Sequence, residues 1–387
     1  MKNLETLIQE LCPDGVEFVK LGDCCSFKRG TTITAKNAIP GDVPVLAGGQ
    51  KPAYYHNEAN RTGETIVVAG SGAYAGFVSY WTIPVFLSDS FSVEPDDRLV
   101  VKFVYYFLKN IQQKIFATKK GSGVPHVHGS SIEKFEIPLP PIEVQTEIVR
   151  ILDKFTSLEA ELEAELDCRK RQYEYYRDKL LSFENVGGQE VKWKKMSEVC
   201  KNICSGGTPL TSKAEYYDGN IPWLRTQEVD YCEIHSTLRN ITQLGLDNSS
   251  AKMIPANCVI VAMYGATAAK VAINKIPLCT NQACCNLEID EDKALVRYVY
   301  QWICKQYEVL KAMGEGSQHN INAQKVKDFK IPIPSLEEQH RIVSILDRFE
   351  SLTTSLQSGL PAEISARRQQ YEYYRDKLLT FKRKGAA

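Results

Sequence analysis

His126 and His128, the closest pair of histidines in the chain, stand in Gly121-Ser122-Gly123-Val124-Pro125-His126-Val127-His128. Their spacing suits a metal ion, because alternate side chains of an extended segment share a face. A metal needs further ligands of the right kind and spacing. The twelve cysteines contain no CxxC, and Cys24-Cys25, Cys200 with Cys204, and Cys284-Cys285 lack a matching set. A polar loop presenting side chains to a partner is the better reading of the two histidines, and reduced thiols are the better reading of the cysteines. Gly70-Ser71-Gly72-Ala73-Tyr74-Ala75-Gly76 is the nearest approach to a phosphate cradle. A P-loop requires GxxxxGK[ST], in which backbone amides surround the phosphates and lysine reaches them. That pattern is absent, so a turn between strands is expected. There is also no HExxH, no [ND]PP[YF] run to grip a target base, and no recurring Ser–His–Asp order. The residues point to no catalytic group, no metal and no cofactor held by this chain.

The elements around these residues are organised by a duplication. Tyr173-Glu174-Tyr175-Tyr176-Arg177-Asp178-Lys179-Leu180-Leu181 returns unchanged as Tyr371-Glu372-Tyr373-Tyr374-Arg375-Asp376-Lys377-Leu378-Leu379. Upstream, Ile137-Pro138-Leu139-Pro140 and Ile151-Leu152-Asp153-Lys154-Phe155 recur as Ile331-Pro332-Ile333-Pro334 and Ile345-Leu346-Asp347-Arg348-Phe349. The 387 residues are two similar halves in tandem. Lysine plus arginine and aspartate plus glutamate each number 47. Composition alone therefore gives no sign of a polyanion partner, though it leaves room for clustered charge. Met1-Lys2-Asn3-Leu4-Glu5 has no apolar signal core and no run is long enough to span a bilayer, so a cytoplasmic protein is expected.

Each half opens with short β-rich runs. Residues 3–11 read as a short amphipathic helix, residues 17–139 as a mixed α/β globule, and residues 98–117 within it as helical. Gly41-Asp42-Val43-Pro44-Val45-Leu46 corresponds to Gly219-Asn220-Ile221-Pro222-Trp223-Leu224, and Ile66-Val67-Val68-Ala69 to Val259-Ile260-Val261-Ala262. Framework positions agree while the segments between them differ. The expected division is a globule with its N-terminal helix over 1–142, a helical spacer over 143–184, a second globule over 185–336 and a second spacer over 337–387. The fold class is α/β (α+β), with a pseudo-two-fold internal repeat.

The spacers carry apolar residues at three- and four-residue steps, the seam of a coiled coil. Its members are Ile148, Leu152, Phe155, Leu162, Leu166, Tyr173, Tyr176 and Leu180, then Ile342, Leu346, Phe349, Tyr371, Tyr374 and Leu378. Such a stripe is too long for one globule to bury, so the two rods are expected to pack antiparallel. Arg177 and Lys179 read as an outer, solvated face. The first rod contains Leu158-Glu159-Ala160-Glu161 followed by Leu162-Glu163-Ala164-Glu165. Four residues advance about 400° round a helix, so deleting one unit should shorten the spacer with little change of face. Ser335-Leu336-Glu337-Glu338 is a capping box, and Gly359-Leu360-Pro361 should break the second rod.

Two variable globules, each followed by a helix that begins I-P-[LI]-P and ends Q-Y-E-Y-Y-R-D-K-L-L, resemble the specificity subunits of type I restriction-modification enzymes. Leu11-Cys12-Pro13-Asp14-Gly15-Val16-Glu17-Phe18 resembles the start of that family. The resemblance implies a non-catalytic subunit with two target recognition domains that read a split, asymmetric site in double-stranded DNA. It further implies docking of two methyltransferase subunits on the helices, with S-adenosylmethionine held by those subunits. ATP and magnesium would belong to restriction subunits.

Base contacts are sought at polar and basic positions of the variable loops, since arginine and lysine suit guanine and amides suit adenine. In the first globule these are Lys28, Arg29, Lys36, Gln50, Tyr54, Tyr55, Lys119, Lys120 and His126. In the second they are Thr208, Arg225, Gln227, Tyr264, Lys270, Gln318, His319 and Asn320. An alternative from another class is a coiled-coil scaffold whose globules bind proteins.

Overall fold

The computed structural model describes residues 4–121, 123–183, 191–315, 320–355 and 358–385. The chain forms two compact units, Met1–Ala164 with Glu363–Ala387, and Glu165–Ala362.

The first unit runs α1 (Leu4–Leu11), β1 (Glu17–Lys20), β2 (Cys25–Arg29), β3 (Val43–Leu46), β4 (Tyr54–His56), β5 (Thr65–Ala69), β6 (Val78–Trp81), β7 (Phe86–Leu87) and β8 (Ser90–Pro95). It continues through α2 (Val101–Asn110), α3 (Gln112–Phe116), α4 (Gly129–Ile132) and β9 (Glu136–Leu139) into α5 (Ile142–Leu180), whose residues from Glu165 onward belong to the second unit. The main sheet has the antiparallel order β2-β8-β5-β6. Every residue of β5 is buried, as its β-branched run demands of a strand covered on both faces. Ile66 and Val68 face the main core with Phe103 and Val104 of α2, while Val67 packs with Leu46, Val85 and Leu87 on the other side. The latter residues come from or adjoin a small sheet, β4-β3-β7. The helical pattern of 98–117 is interrupted at Ile111, which gives α2 and α3 in place of one helix.

The second unit contains β10 (Lys192–Lys195), α6 (Met196–Val199), β11 (Cys200–Ser205), β12 (Tyr217–Leu224), β13 (Cys232–Ile234), β14 (Asn240–Ile241), α7 (Gln243–Asp247), β15 (Met253–Ile254) and β16 (Val259–Ala262). It goes on with β17 (Val271–Asn274), β18 (Leu278–Thr280), β19 (Cys284–Ile289), α8 (Val296–Lys305), α9 (Tyr307–Ala312), α10 (Ala323–Asp328), β20 (Lys330–Ile333) and α11 (Leu336–Thr354). The final helix, α12 (Leu360–Leu378), returns to the first unit. The main sheet is β11-β19-β16-β17-β13, which repeats the first globule's order and adds β13 as a parallel edge strand.

In each unit the I-P-[LI]-P segment is a strand paired antiparallel with the strand that opens the globule, β9 on β1 and β20 on β10. The chain then turns directly into the spacer helix. This corrects one expectation: Ile148, Leu152, Ile342 and Leu346 do not wait for a partner rod. They are fully buried in the cores of their globules, because the short turn after each strand lays the helix start against α2 or α8.

A buried glutamine fastens each joint. Gln145 Oε1 accepts from the Val100 amide at 2.8 Å, and Nε2 donates to the Arg98 and Pro140 carbonyls at 2.9 and 2.8 Å. Gln339 repeats this with the Leu295 amide and the Lys293 and Pro334 carbonyls at 2.9, 3.2 and 3.0 Å.

Ser335 caps α11 by accepting from the Glu338 amide at 3.3 Å. Glu338 does not complete the box; its carboxylate takes two hydrogen bonds from Arg341. The second rod ends at Thr354 and resumes at Leu360. A Cβ on Gly359 would lie 2.6 Å from the Ser351 carbonyl oxygen, so this tight connection requires glycine.

In the first unit the rods run antiparallel. Phe155 meets Tyr374, while Glu159 and Glu163, further along α5, take hydrogen bonds from Arg368, earlier in α12. In the second unit Tyr176 meets Phe349, and Tyr173, earlier in α5, lines a pocket with Glu350 and Thr354 of α11. The last described residues pair with the start of the first globule: the Val16 amide donates to Lys382 and the Lys384 amide donates to Val16.

Candidate nucleic-acid interface

In the first unit the loops at one end of the main sheet are tied together by backbone hydrogen bonds. The Gly30 amide donates to Ser90, Gly70 to Asp89, Gly72 to Pro125 and Val127 to Gly70. Gly70 to Gly76 thus closes the turn between β5 and β6. The tips enclose a polar cleft of about 250 Å³, lined by Arg29, Gly70, Asp89, Ser90, His126, His128 and Glu133 among others. Two of the expected base contacts, Arg29 and His126, are brought together there. Lys120 pairs with His126 through both backbone groups, and Lys119 donates to the Ala73 carbonyl at 3.2 Å. Lys36, Gln50 and Tyr55 are exposed, whereas the Tyr54 hydroxyl is spent on the Ile33 carbonyl at 2.5 Å.

Lys28 is already paired, at 2.5 Å from Glu94. Burial works against the Glu94 carboxylate, yet hydrogen bonds from Lys28 and Ser92 and the charge of Arg61 hold its pKa below the ordinary value. His126 and His128 stack nearly parallel, with centroids 6.3 Å apart. Among the described residues no group of three or more His, Cys, Asp or Glu is placed to hold a metal ion.

The second unit gathers the corresponding loops. Thr267 Oγ1 donates to the Thr226 carbonyl at 2.8 Å, the Asn281 amide to Leu224, and the Ile321 amide to Met263. Thr208 donates to Gln282 across this end. Gln227 and Tyr264 are exposed here. Among the described residues, Arg225 Nε and Asn320 Oδ1 are buried without a hydrogen-bond partner. Lys270 is turned aside: it pairs with Asp230 at 2.6 Å and lies over the Tyr231 ring. Gln318 and His319 lie outside the described residues. Asp89, which projects into the first cleft, was not legible as a site residue. It is fixed by a hydrogen bond from Ser71 in the glycine-rich loop, and that loop was the available signal.

The repeated helical block does three things. Tyr173 faces the second globule, where its hydroxyl donates to Gln301 Oε1 at 2.8 Å, and Tyr371 packs on the first core. Burial pushes the Tyr371 hydroxyl up to about 12. Tyr176 and Tyr374 stack on the phenylalanines of the facing rods, with centroids 5.4 Å apart in both cases. Tyr175 and Tyr373 remain 60% and 61% exposed, each set edge-on to the next tyrosine. Leu162, Leu166, Leu180 and Leu378 are half-buried. Arg177 departs from the expected solvated face: its side chain is 20% exposed and covers the Tyr173 ring, because that side of the helix turns toward the globule.

These loop tips offer guanidinium, hydroxyl, amide, imidazole and carboxylate groups, the inventory that contacts phosphates and base edges. The comparisons with known proteins agree in kind. A family model described as the type I restriction modification DNA specificity domain matches twice, over residues 13–167 and 189–366. The chain is 35% identical to the type I restriction enzyme EcoR124I/EcoR124II specificity subunit of Escherichia coli, covering 98% of this chain and 97% of that one. It is 29% identical to a putative type I restriction enzyme specificity subunit of Haemophilus influenzae, covering 98% and 100%. The S subunit of a type I restriction-modification system from M. genitalium shares the fold, with a TM-score of 0.62 at 18% identity over 94% and 96% of the two chains. With the domain present twice and a relative of this identity along nearly its whole length, the chain belongs to the family of type I restriction-modification DNA specificity subunits.

Proposed function

We propose that each globule reads one half of a split, asymmetric sequence in double-stranded DNA through its cluster of loop tips. The observation that carries this reading is one strand framework present twice with different tips: β2-β8-β5-β6 and β11-β19-β16-β17 agree, whereas the side chains at their ends do not. Two unlike readers on one chain specify an asymmetric site. The globules 1–142 and 185–336 serve as recognition domains, and the helical segments 143–184 and 337–387 as spacers.

The chain supplies recognition and no catalysis. Methyl transfer comes from two docked methyltransferase subunits that hold S-adenosylmethionine, and ATP- and magnesium-dependent steps come from restriction subunits. The exposed Tyr175 and Tyr373 faces, identical in both copies, are the docking surface, since neither packing nor base reading requires the match. Among the described residues no helix is long and apolar enough to cross a membrane, and a cytoplasmic complex acting on DNA accords with this. The scaffold alternative is not favoured, because the matched family is a DNA specificity family.

Purified chain mixed with methyltransferase subunits and S-adenosylmethionine should methylate a bipartite site, with an affinity that falls steeply as salt rises. Methyl transfer by the chain alone, or no salt-sensitive DNA binding by the assembly, would refute the reading.

A further inference from the structure

The two globules carry the same backbone at the ends of their first sheet strands and different side chains upon it. Gly30 and Gly206 follow β2 and β11, and a Cβ on either would collide with a carbonyl oxygen, that of Leu87 at 2.1 Å or of Thr280 at 2.0 Å. The residues just before them are Arg29 and Ser205, in register with Phe91 and Cys285 of the neighbouring strands. The residues that precede those neighbouring strands are Asp89 and Ala283. A fixed frame therefore holds an arginine–aspartate pair in one globule and a serine–alanine pair in the other.

The Arg29 guanidinium stands 3.5 Å from Asp89 Oδ1 and is 71% exposed, and among the described residues the rest of its fork is unpaired. Asp89 is held from behind by the Ser71 hydroxyl, and Ser71 is itself buried. Both groups line the polar cleft. In the major groove a G·C pair shows two acceptors on guanine, N7 and O6, beside one donor on cytosine, N4. A guanidinium fork beside a carboxylate is the complement of that order.

We propose that Arg29 and Asp89 together read one G·C base pair in the half-site bound by the first globule, with Ser71 positioning Asp89. This rests on the reading of the globules as DNA readers. Ser205 and Ala283 place no such requirement on the other half-site.

The test is the methylated motif produced on genomic DNA by the chain assembled with its methyltransferase subunits, determined by sequencing. Arg29→Ala should relax a single G·C position in one half-site, with discrimination there falling on the order of ten- to a hundred-fold, and leave the other half-site unchanged. Asp89→Asn should relax the same position, and Ser71→Ala should do so more weakly. Arg29→Lys, which keeps the charge and loses the fork, should relax that position too, and it serves if the alanine variant fails to assemble. An unchanged motif in these variants, relaxation in both half-sites, or uniform loss of methylation by an intact assembly overturns the proposal while the split-site reading stands. No split motif from the unaltered chain overturns that reading and this proposal with it.

Discussion

Phe155 of α5 lies against Tyr374 of α12, the rings 5.4 Å apart and inclined by 25°. Its counterpart Phe349 meets Tyr176 at 5.4 Å and 22°. The duplication thus makes the same aromatic joint twice, each time a phenylalanine fourteen residues into the helix that leaves a globule and a tyrosine near the end of the facing rod. Offset stacking adds about 1 kcal/mol to area burial. Phe155→Ala should cost the first unit about 2 kcal/mol, less than a fully buried phenylalanine because this site is half open. Hydrogen exchange should quicken along residues 148–160 and 368–378 and stay unchanged around Phe349.

Gln145 satisfies three backbone groups from a fully buried position. Gln145→Leu fills similar space and leaves one amide and two carbonyls without partners. A cost of about 3 kcal/mol or more is expected, at about 1–3 kcal/mol for each group that cannot reach water. Denaturant unfolding of the variant measures it, and Gln339→Leu should destabilise the second unit comparably.

Hydrogen bonds from Arg150 hold the Glu147 carboxyl below its ordinary pKa, against a smaller opposing effect of burial, and Arg341 does the same for Glu338. A folded value below the unfolded one contributes stability fully above the unfolded value of about 4.3, and that stability is lost as pH falls through the folded value. The difference in melting temperature between the parent chain and Arg150→Met should be constant from about pH 8 to 6 and shrink below about pH 4. A difference that grows on acidification would contradict the assignment.

All twelve cysteines are free. Burial pushes the Cys279 thiol up to about 11 and those of Cys200 and Cys258 up to about 12. At pH 8 the reactive thiolate is then no more than about one part in a thousand at these sites. An alkylating reagent applied to the folded chain should spare them and reach the half-exposed Cys168 on α5 first. Mass spectrometry before and after denaturation separates the two classes.

The duplication, the strand-rich globules and the break near Gly359 were legible because each rests on local pattern or identity. Residues 335–338 signalled the α11 cap, but only half of the box formed, since Arg341 lies one turn on and competes for Glu338. Gln145 and Gln339 read as ordinary polar residues of a first helical turn. Their role depends on backbone groups some 45 residues away that only the folded joint brings near. Lys28 and Lys270 were legible as charges but not as engaged ones: Glu94 is distant in the chain from Lys28, as Asp230 is from Lys270. Periodicity marked Ile148 and Ile342 as apolar helix positions, and it could not distinguish a globule's core from a neighbouring rod. β13 escaped notice because three residues pairing parallel to a distant strand carry little local signature.

The first unit needs Glu363–Ala387 to complete its core, and those residues leave the ribosome after all of Glu165–Ala362. At about 5–20 residues per second, its globule spends about ten to forty seconds of translation with the helical side uncovered. The half made first is then the half finished last, and a message cut short near its 3′ end would leave that side bare while the later half is already whole.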